Sequence, residues 1–400
     1  MFKSFACNSK NINLTKIQFL MRILLLGEYS NFHNTLKAGL EKNGHEVLLA
    51  GRKDGFKGYS VDIDFDPVLF SKTLFRKIKN LLFIIFKFDI SSLEIVYIFY
   101  RNRKQLKGFD IVQLVNEYPI KSTPFFEQIL LNYIFKHNKK VILSACGEDT
   151  TYINYLLRSE LSHHILTPYL KNKKLKSYFE PSLKYLNPSY KKLSEFVIKN
   201  VAHIIPGDFD YEMAYCNKNK VSPLIPFPVH TEKNKMITLN AEDKIKIFHG
   251  ISRNNYYKKG NDHFDQALKQ IQKKYNHKIE IIQVESIPYK EYLKLYKDCH
   301  ILLDQTYVYD QGYNALEAMA QGKVVFSGFS NEFKSHYNVT KKIGIHATPN
   351  VEEIVKNLSW LIENPNEIIE ISKNAREYIE THHDYIKVAK TYEDAWNSQL

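Results

Sequence analysis

The chain has 400 residues, of which 44% are hydrophobic, so it can bury a sizeable core, and its length allows two or three domains. Lys and Arg outnumber Asp and Glu by 56 to 43, and the net charge of +13 favours an anionic partner such as a nucleotide, a phospholipid surface or a nucleic acid. The four cysteines are widely spaced and form no paired metal-ligand pattern, which favours a reducing compartment. The longest apolar run, residues 81–86, is far shorter than the ~20 residues that cross a bilayer, which excludes an integral membrane protein.

The first half of the chain alternates apolar runs with amphipathic segments, a pattern that predicts parallel strands joined by helices. Residues 1–20 contain no continuous apolar segment, and we expect a disordered extension, or an upstream start, before a strand that opens at Met21. Further strands are predicted at residues 45–50, 110–116, 140–146 and 203–208, with helices at residues 34–44, 122–138 and 190–202. These elements predict a Rossmann-like doubly wound domain over residues 21–228.

A cluster of prolines marks the boundary to a second domain. Pro223, Pro226 and Pro228 precede a polar stretch, so residues 229–240 are interpreted as a linker. A second alternating series follows over residues 241–384, with strands at 244–250, 278–285, 300–305, 323–328 and 343–348, and helices at 264–275, 289–298 and 314–321. The chain after Val351 is predicted to be helical throughout. The pattern alone therefore predicts an α/β protein with two doubly wound parallel sheets.

Residues 310–325, DQGYNALEAMAQGKVV, combine a glycine turn with a short helix of small residues between two strands. A parallel sheet presents a helix N-terminus to an anionic ligand in this way. Gly312 permits the turn, Asn314 is a good N-cap, and Ala315 keeps the helix thin. Glu317 has two interpretations: a capping-box partner of Asn314, or a carboxylate that accepts both hydroxyls of a ribose. The spacing leaves both open.

The same segment resembles the donor-site signature of the retaining glycosyltransferases of family 4, in which a glycine turn leads into Leu-Glu-Ala-Met-Ala-x-Gly. Residues 316–320 and Gly322 match that motif in order. The resemblance implies that Glu317 binds the ribose of a nucleotide-diphosphate sugar, and that the phosphates face the turn formed by Gly312, Tyr313, Asn314 and Ala315. The family keeps a glutamate against the donor sugar eight residues earlier, where this chain has Tyr309. Asp310, next to it, could supply the missing acceptor.

The resemblance covers almost the whole chain after Met21. It implies the GT-B architecture, in which two Rossmann-like domains face each other across a cleft. The first domain would hold the acceptor and the second the nucleotide sugar. The last residues, 385–400, would form a helix that crosses back to the first domain.

Two basic residues in the loop after the second domain's first strand are candidates for phosphate binding. Arg253 and Lys259 are six residues apart, and a guanidinium with an ammonium can bind a diphosphate and neutralise it as a leaving group. A solvated basic loop is the alternative. Lys259-Gly260-x-Asp262 resembles the Lys-Gly-x-Asp of family 4, which implies that Arg253 and Lys259 grip the diphosphate. By the same resemblance Pro288, after the next strand, contacts the base.

The first domain offers candidates at two predicted loops. Gly27 and His33 lie in a strand-to-helix loop that resembles the family's glycine loop between the donor phosphates and the acceptor, although His33 could instead be a merely exposed helix-start residue. Glu148 and Asp149 follow the strand at residues 140–146, where relatives place acidic or histidine side chains at the transfer centre. The Gly-x-Gly-x-x-Gly fingerprint of dehydrogenases is absent.

Residues 73–88, from Thr73 to Phe88, are both basic and strongly apolar. They could form a core helix, or an amphipathic segment that lies on an anionic membrane and suits a lipid-linked acceptor. The location expected for the chain is cytoplasmic, with peripheral attachment to the inner face of the plasma membrane if this segment binds lipid.

The combined hypothesis is a glycosyltransferase that moves a sugar from a nucleotide-diphosphate sugar to a saccharide or lipid-linked saccharide in bacterial-type surface polysaccharide synthesis. The resemblance implies retention of configuration and no required metal or cofactor, because basic side chains and a helix terminus replace the cation. A GT-B-type nucleotide-sugar epimerase is the alternative enzyme. A non-enzymatic basic protein that binds nucleic acid is a remote alternative, since no recognition helix or aromatic-basic motif supports it.

Overall fold

Parallel strands form two sheets in the computed structural model of the chain, which describes residues 20–397 except 56–57, 87 and 238–243. The extension predicted before Met21 lies outside the described residues apart from Leu20, and so do the side chains of residues 86, 289 and 290. The first sheet has the order β3-β2-β1-β4-β5-β6, where the strands are β1 (Arg22–Leu26), β2 (Glu46–Gly51), β3 (Ile63–Asp64), β4 (Ile111–Leu114), β5 (Lys140–Ala145) and β6 (Ile204–Pro206).

The second sheet is also entirely parallel and has the order β11-β10-β9-β7-β8. Its strands are β7 (Ile245–Ile251), β8 (Ile279–Glu285), β9 (Ile301–Leu303), β10 (Val324–Ser327) and β11 (Ile345–His346). The predicted fold class, two Rossmann-like doubly wound sheets, is confirmed. The sequence pattern missed β3, which has only two residues and therefore no readable alternation.

Helices cover the first sheet, and their starts follow ordinary capping rules. Asp149 and Asp208 cap α5 and α9 by accepting backbone N–H groups, while α4 and α8 begin with proline. The helices are α1 (Phe32–Lys42), α2 (Thr73–Phe86), α3 (Ser91–Asn102), α4 (Pro124–His137), α5 (Thr150–Leu156), α6 (Thr167–Lys171), α7 (Lys176–Leu183), α8 (Pro188–Asn200) and α9 (Phe209–Tyr215).

The second domain and the tail contain α10 (Tyr256–Lys259), α11 (Asn261–Tyr275), α12 (Tyr289–Tyr296), α13 (Tyr313–Ala320), α14 (Asn331–His336), α15 (Val351–Glu363), α16 (Pro365–His382) and α17 (Tyr385–Asn397). The tail is helical as predicted but is divided into three helices. Proline cannot continue a helix and disfavours helical backbone in the residue before it, so α15 ends before Pro365. None of the helices that the structure describes is both long and apolar enough to cross a membrane.

The last helix, α17, lies against α1 of the first sheet. A Cβ atom on Gly39 of α1 would lie 2.2 Å from the Tyr385 carbonyl oxygen, so the two helix backbones touch. Trp396 of α17 is completely buried, in an apolar cluster that also contains Ile23 of the first sheet and Met319 of the second domain. Both domains therefore share one core. The domain limits read from the sequence stay a prediction.

The order of the strands locates the places where ligands bind. In an open parallel sheet, ligands lie outside the carboxyl ends of the strands, where the direction of winding reverses. That point lies between β1 and β4 in the first sheet and between β7 and β9 in the second. The loops that follow these four strands therefore define the candidate site.

Candidate donor and acceptor cleft

A buried carboxylate, Asp304, lies directly after β9 at the reversal point of the second sheet. Its Oδ1 accepts hydrogen bonds from Lys259 Nζ at 2.9 Å and from Asn314 Nδ2 at 3.2 Å. Its Oδ2 accepts the Ser327 hydroxyl at 3.1 Å. The Asp304 side chain is 1% exposed and that of Lys259 is 30% exposed, so the ammonium reaches solvent while the carboxylate does not. Asp304 thus orients Lys259 and Asn314 at one point of the cleft.

The backbone next to Lys259 is fixed by a close approach between two loops. Gly260 has φ +72°, and a Cβ there would lie 2.0 Å from the Thr306 hydroxyl oxygen, so only glycine fits without rearrangement. The Thr306 N–H donates to the Lys259 carbonyl at 3.0 Å. This hydrogen bond joins the end of α10 to the loop after β9.

Arg253 follows β7 and lies at the solvent side of the same cleft. Its Nε donates to Glu285 Oε1 at 2.6 Å, and a second contact makes the pair bidentate. The guanidinium also lies 4.6 Å from the centre of the Tyr256 ring. Both members of the ion pair are nearly half exposed, at 47% and 46%. Arg253 and Lys259, predicted together, therefore flank the ends of β7 and β9.

The helix predicted to face the phosphates begins one residue earlier than expected. Gly312, in extended backbone, occupies the N-cap of α13, and Asn314 lies within the helix. The predicted Asn314–Glu317 capping box is therefore not the arrangement at this helix start. Glu317 and Asn314 line a cavity of about 430 Å³ together with Tyr292 and with Asn31 of the first domain. The cavity lies between the two domains on the side of the linker.

The predicted donor-site residues also include Tyr313 and Ala315 of α13, and Pro288 at the start of α12. The Tyr313 hydroxyl donates to the Pro228 carbonyl, which ties α13 to the proline-rich boundary segment. Ala315 is completely buried, so the helix contacts its neighbours closely. Pro288 precedes α12, and its carbonyl accepts the N–H groups of Glu291 and Tyr292.

Tyr309 and Asp310, the candidates for sugar contact, form hydrogen bonds to α9 of the first domain. Asp210 accepts the backbone N–H of Tyr309 at 3.1 Å and that of Asp310 at 2.9 Å, and Asp310 accepts the Phe209 N–H at 2.8 Å. Burial raises the pKa of both Asp210 and Asp310. The Tyr309 ring stacks on His163 with a centroid distance of 5.1 Å. These two residues therefore join the domains.

Gly27 and His33 lie at the end of β1. Gly27 has φ +89°, and a Cβ there would lie 2.4 Å from a methyl carbon of Val115, so glycine is required where β1 and β4 meet. His33 is completely buried, with Nδ1 2.7 Å from the Gly27 carbonyl oxygen and Nε2 3.5 Å from Gln113 Nε2. Burial lowers the pKa of His33 to about 3. The buried His33 imidazole contacts the Gly27 carbonyl and so stabilises the glycine loop. It is not among the ligand contacts that we propose.

Glu148 and Asp149 are neighbours with different surroundings. Glu148 Oε1 lies 2.5 Å from Lys258 Nζ, an ion pair between the two domains. Asp149 is completely buried: Oδ1 accepts the Tyr152 N–H at 2.7 Å and Oδ2 accepts the Tyr215 hydroxyl at 2.6 Å. Asp149 therefore caps α5, and its position gives it no role in the chemistry that we propose.

Sequence reasoning did not name Asp304, Asp210 or Lys258. The signal for Asp304 was present, since it ends a predicted strand of the second sheet, where side chains point toward the cleft. Asp210 and Lys258 each contact the other domain. The local sequence around them does not indicate which residues they contact there.

Asp304 and Lys259 give the first test of the site. We expect Lys259→Met to weaken binding of a nucleotide diphosphate about 10- to 100-fold, since a hydrogen bond to a charged group contributes ~1.5–3 kcal/mol. Asp304→Asn keeps the shape of the side chain but removes the charge that orients Lys259. We expect this variant to bind a nucleotide diphosphate roughly 3- to 10-fold more weakly than the wild type. Calorimetric titration measures both. Lys273→Met, an exposed position on α11, is the matched control, and equal affinities of this control and Lys259→Met would contradict the assignment.

The buried His33 makes a prediction about pH. A base whose folded-state pKa lies below its unfolded value stabilises the fold above the unfolded pKa and loses that contribution as the pH falls toward the folded pKa. For His33 the window runs from 6.5 down to about 3, and each pH unit there removes up to about 1.4 kcal/mol. His33→Gln keeps a donor for the Gly27 carbonyl but does not titrate. We expect the variant to lose less unfolding free energy than the wild type between pH 6.5 and 4 in urea titrations, and parallel losses would refute this account.

Comparison with known proteins bears on the fold of the chain and on the family match of its second domain. Residues 249–394 match the family model described as glycosyl transferase-like. No sequence among the curated proteins matches the chain. Among the solved structures that resemble it, sucrose-phosphate synthase from Thermosynechococcus elongatus has 14% identity and a TM-score of 0.61, and the match covers 94% of this chain and 98% of that chain.

Two others among them are similar over comparable lengths. HepE from Anabaena, in complex with UDP and glucose, has 10% identity and a TM-score of 0.55, with 95% of this chain and 100% of that chain covered. WaaG, a glycosyltransferase involved in lipopolysaccharide biosynthesis, has 13% identity and a TM-score of 0.53, with 94% and 99% covered. The second domain of this chain is therefore glycosyl transferase-like in sequence, and the whole chain has the two-domain GT-B fold.

Proposed function

We propose that this protein is a glycosyltransferase that moves a sugar from a nucleotide-diphosphate sugar to a saccharide or lipid-linked saccharide acceptor, with retention of configuration. The observation that carries the proposal is the pairing of Lys259 and Asn314 on Asp304, beside the start of α13. A cation and a helix N-terminus then meet at the reversal point of the sheet, and both favour a diphosphate. The glycosyl transferase-like match covers the same segment.

In this proposal Lys259 and Arg253 bind the diphosphate together. Arg253 must leave Glu285 to do so, and the cost is small because exposed ion pairs contribute only about 0–1 kcal/mol. Charge accumulates on the diphosphate as its bond to the sugar breaks, and the two cations stabilise that charge. The leaving diphosphate accepts the proton of the acceptor hydroxyl. These residues take the place of a metal ion, so the reaction requires no cofactor.

Glu317 binds the ribose in this proposal. Its carboxylate lines the cavity of about 430 Å³, and Gly312 rather than Asn314 caps α13, which removes the capping-box interpretation of Glu317. The base lies against the turn at Pro288, where backbone groups read it. Uridine is our first candidate, because the similar structure of HepE contains UDP.

The sugar and the acceptor meet near Tyr309, Asp310 and Glu148. Tyr309 and Asp310 contact the sugar only if the hydrogen bonds to Asp210 rearrange, so sugar binding is linked to movement between the domains. Glu148, held by Lys258 at the end of β5, faces the transfer centre from the first domain. A role in bacterial-type surface polysaccharide synthesis fits the fold that this chain shares with WaaG.

A thermal-shift screen followed by a transfer assay tests the proposal. We expect one of UDP-, GDP-, ADP- or CMP-sugars to raise the unfolding midpoint, because a ligand that binds only the folded state stabilises it. Labelled donor should then yield a glycosylated acceptor, and Arg253→Ala should reduce the turnover at least tenfold. The proposal would be wrong if no nucleotide sugar raised the unfolding midpoint. Conversion of the donor to its epimer without any acceptor would identify the epimerase alternative instead.

We also propose that α2 attaches the protein to an anionic membrane at the cytoplasmic face. Four apolar side chains repeat at helical spacing along α2 and remain exposed: Leu74 at 67%, Ile78 at 42%, Leu81 at 58% and Ile85 at 59%. Soluble monomers rarely leave a continuous apolar stripe uncovered. Arg76, Lys77 and Lys79 lie between them, Lys72 directly precedes the helix, and no acidic residue interrupts residues 67–88. Apolar insertion and attraction to anionic headgroups therefore coincide.

Vesicle flotation tests this attachment. We expect the wild type to float with phosphatidylglycerol vesicles, and the Leu81→Ser/Ile84→Ser/Ile85→Ser variant to bind at least tenfold less, because three exposed side chains lose their apolar area. Leu157→Ser, at an exposed leucine after α5, is the control and should float like the wild type. A wild type that stays at the bottom of the gradient would remove the membrane proposal and leave the glycosyl transfer untouched.

A further inference from the structure

Three lysines converge on the cleft side of the first domain, outside the donor site. Lys121 follows β4, Lys184 opens a 3₁₀ turn before α8, and Lys258 comes from α10 of the second domain. Lys258 forms the ion pair with Glu148, and each of the other two lysines interacts with aromatic rings. We call Lys121, Lys184 and Lys258 the lysine cluster.

The ammonium of Lys184 is held by rings rather than by a carboxylate. It lies 4.8 Å from the ring centre of Tyr185, 5.5 Å from that of Tyr118 and 5.7 Å from that of Tyr190. Within the residues that the structure describes, no acidic group forms an ion pair with it. An aromatic cage with a partly buried, unneutralised cation at its edge provides an attractive place for an anion.

The ammonium of Lys121 has a similar setting. It lies 3.9 Å from the Tyr29 ring centre and 3.9 Å from Asp54 Oδ1, a long ion pair. Gly147 lies against the same Tyr29 ring, because a Cβ at Gly147 would be 3.8 Å from two of its carbons. Lys121 and Gly147, the residue before Glu148, therefore both lie near the Tyr29 ring, next to the glycine loop that follows β1.

Lys184 is the member of the cluster whose charge no ion pair compensates within the described residues, since Lys258 pairs with Glu148 and Lys121 with Asp54. Burial lowers the pKa of Lys184, and repulsion from Lys121 and Lys258 adds to this effect, while Glu148 opposes it. Burial also lowers the pKa of Lys121, with Asp54 as the main opposing charge. Bringing like charges together costs free energy that a bound anion would recover.

We propose that the lysine cluster binds the phosphate or diphosphate group of the acceptor, so that the acceptor of this enzyme is an anionic, phosphate-bearing molecule. The inference rests on the proposed glycosyl transfer and specifies its acceptor class. Lys184 and Lys121 contact the phosphate oxygens, and Lys258 joins them when it exchanges Glu148 for the ligand. The rings of Tyr118, Tyr185 and Tyr190 lie beside the group attached to the phosphate. This site is separate from Arg253 and Lys259, which hold the donor.

Calorimetric titration in a donor-site background isolates this site. The full chain with Arg253→Ala and Lys259→Met lacks both proposed donor-site cations and binds a diphosphate there far more weakly, so the remaining tight binding reports on the lysine cluster. The probes are inorganic pyrophosphate and farnesyl diphosphate. We expect both to bind, and Lys184→Met in this background to weaken each at least tenfold, whereas Lys184→Arg retains most of the affinity. Lys192→Met, at an exposed lysine on α8, is the matched control.

The outcomes separate the hypotheses. Tighter binding of farnesyl diphosphate than of pyrophosphate assigns the site to a lipid-linked acceptor, and equal binding assigns it to the phosphate group alone. No binding in the donor-site background, or equal affinities of Lys184→Met and Lys192→Met, overturns the inference. Nucleotide titration of Lys184→Met in the otherwise native chain should give wild-type affinity and shows that the variant is folded. If the native chain itself binds no nucleotide, the proposed function fails, whatever the lysine cluster does.

Discussion

The carboxylate of Asp304 is the constraint on which the donor half of the cleft depends. A charge that is almost completely buried is stable only when partners satisfy its oxygens, and removal of one partner leaves a costly orphan. Its partners come from three segments: Lys259 ends α10, Asn314 lies in α13, and Ser327 ends β10. The position of the phosphate-binding lysine is therefore coupled to that of the helix N-terminus. Asp304 and its three partners therefore form one electrostatic unit, and the donor site does not depend on independent loops.

Contacts between the domains extend this unit toward the transfer centre. Asp210 of the first domain accepts two N–H groups from the segment immediately before α13, and Lys258 pairs with Glu148 across the cleft. The segment that carries Tyr309 is thus held by a carboxylate from the opposite domain. The position of the donor-side segment before α13 therefore depends on the first domain.

The sequence predicted the strands and helices, which depend on local pattern. It did not predict hydrogen-bond partners that are distant along the chain. Alternating apolar runs predicted both sheets, while the phosphate-binding role of Arg253 and Lys259 stays a prediction. His33 looked like an exposed helix-start residue or a ligand contact, but it is buried because the Gly27 carbonyl and Gln113 lie against it. Asp149 follows a strand like a catalytic residue, yet it accepts a hydroxyl from Tyr215, which is 66 residues away. Such partners are set by tertiary packing and leave no periodic signal.

A crystal structure with the nucleotide diphosphate that the chain binds best tests the central claim most directly. The account predicts the diphosphate between Lys259, Arg253 and the first N–H groups of α13, with the ribose hydroxyls on Glu317. Arg253 should have left Glu285, while Lys259 should still contact Asp304. A nucleotide bound elsewhere, or one whose phosphates point away from Lys259 and α13, would contradict the account.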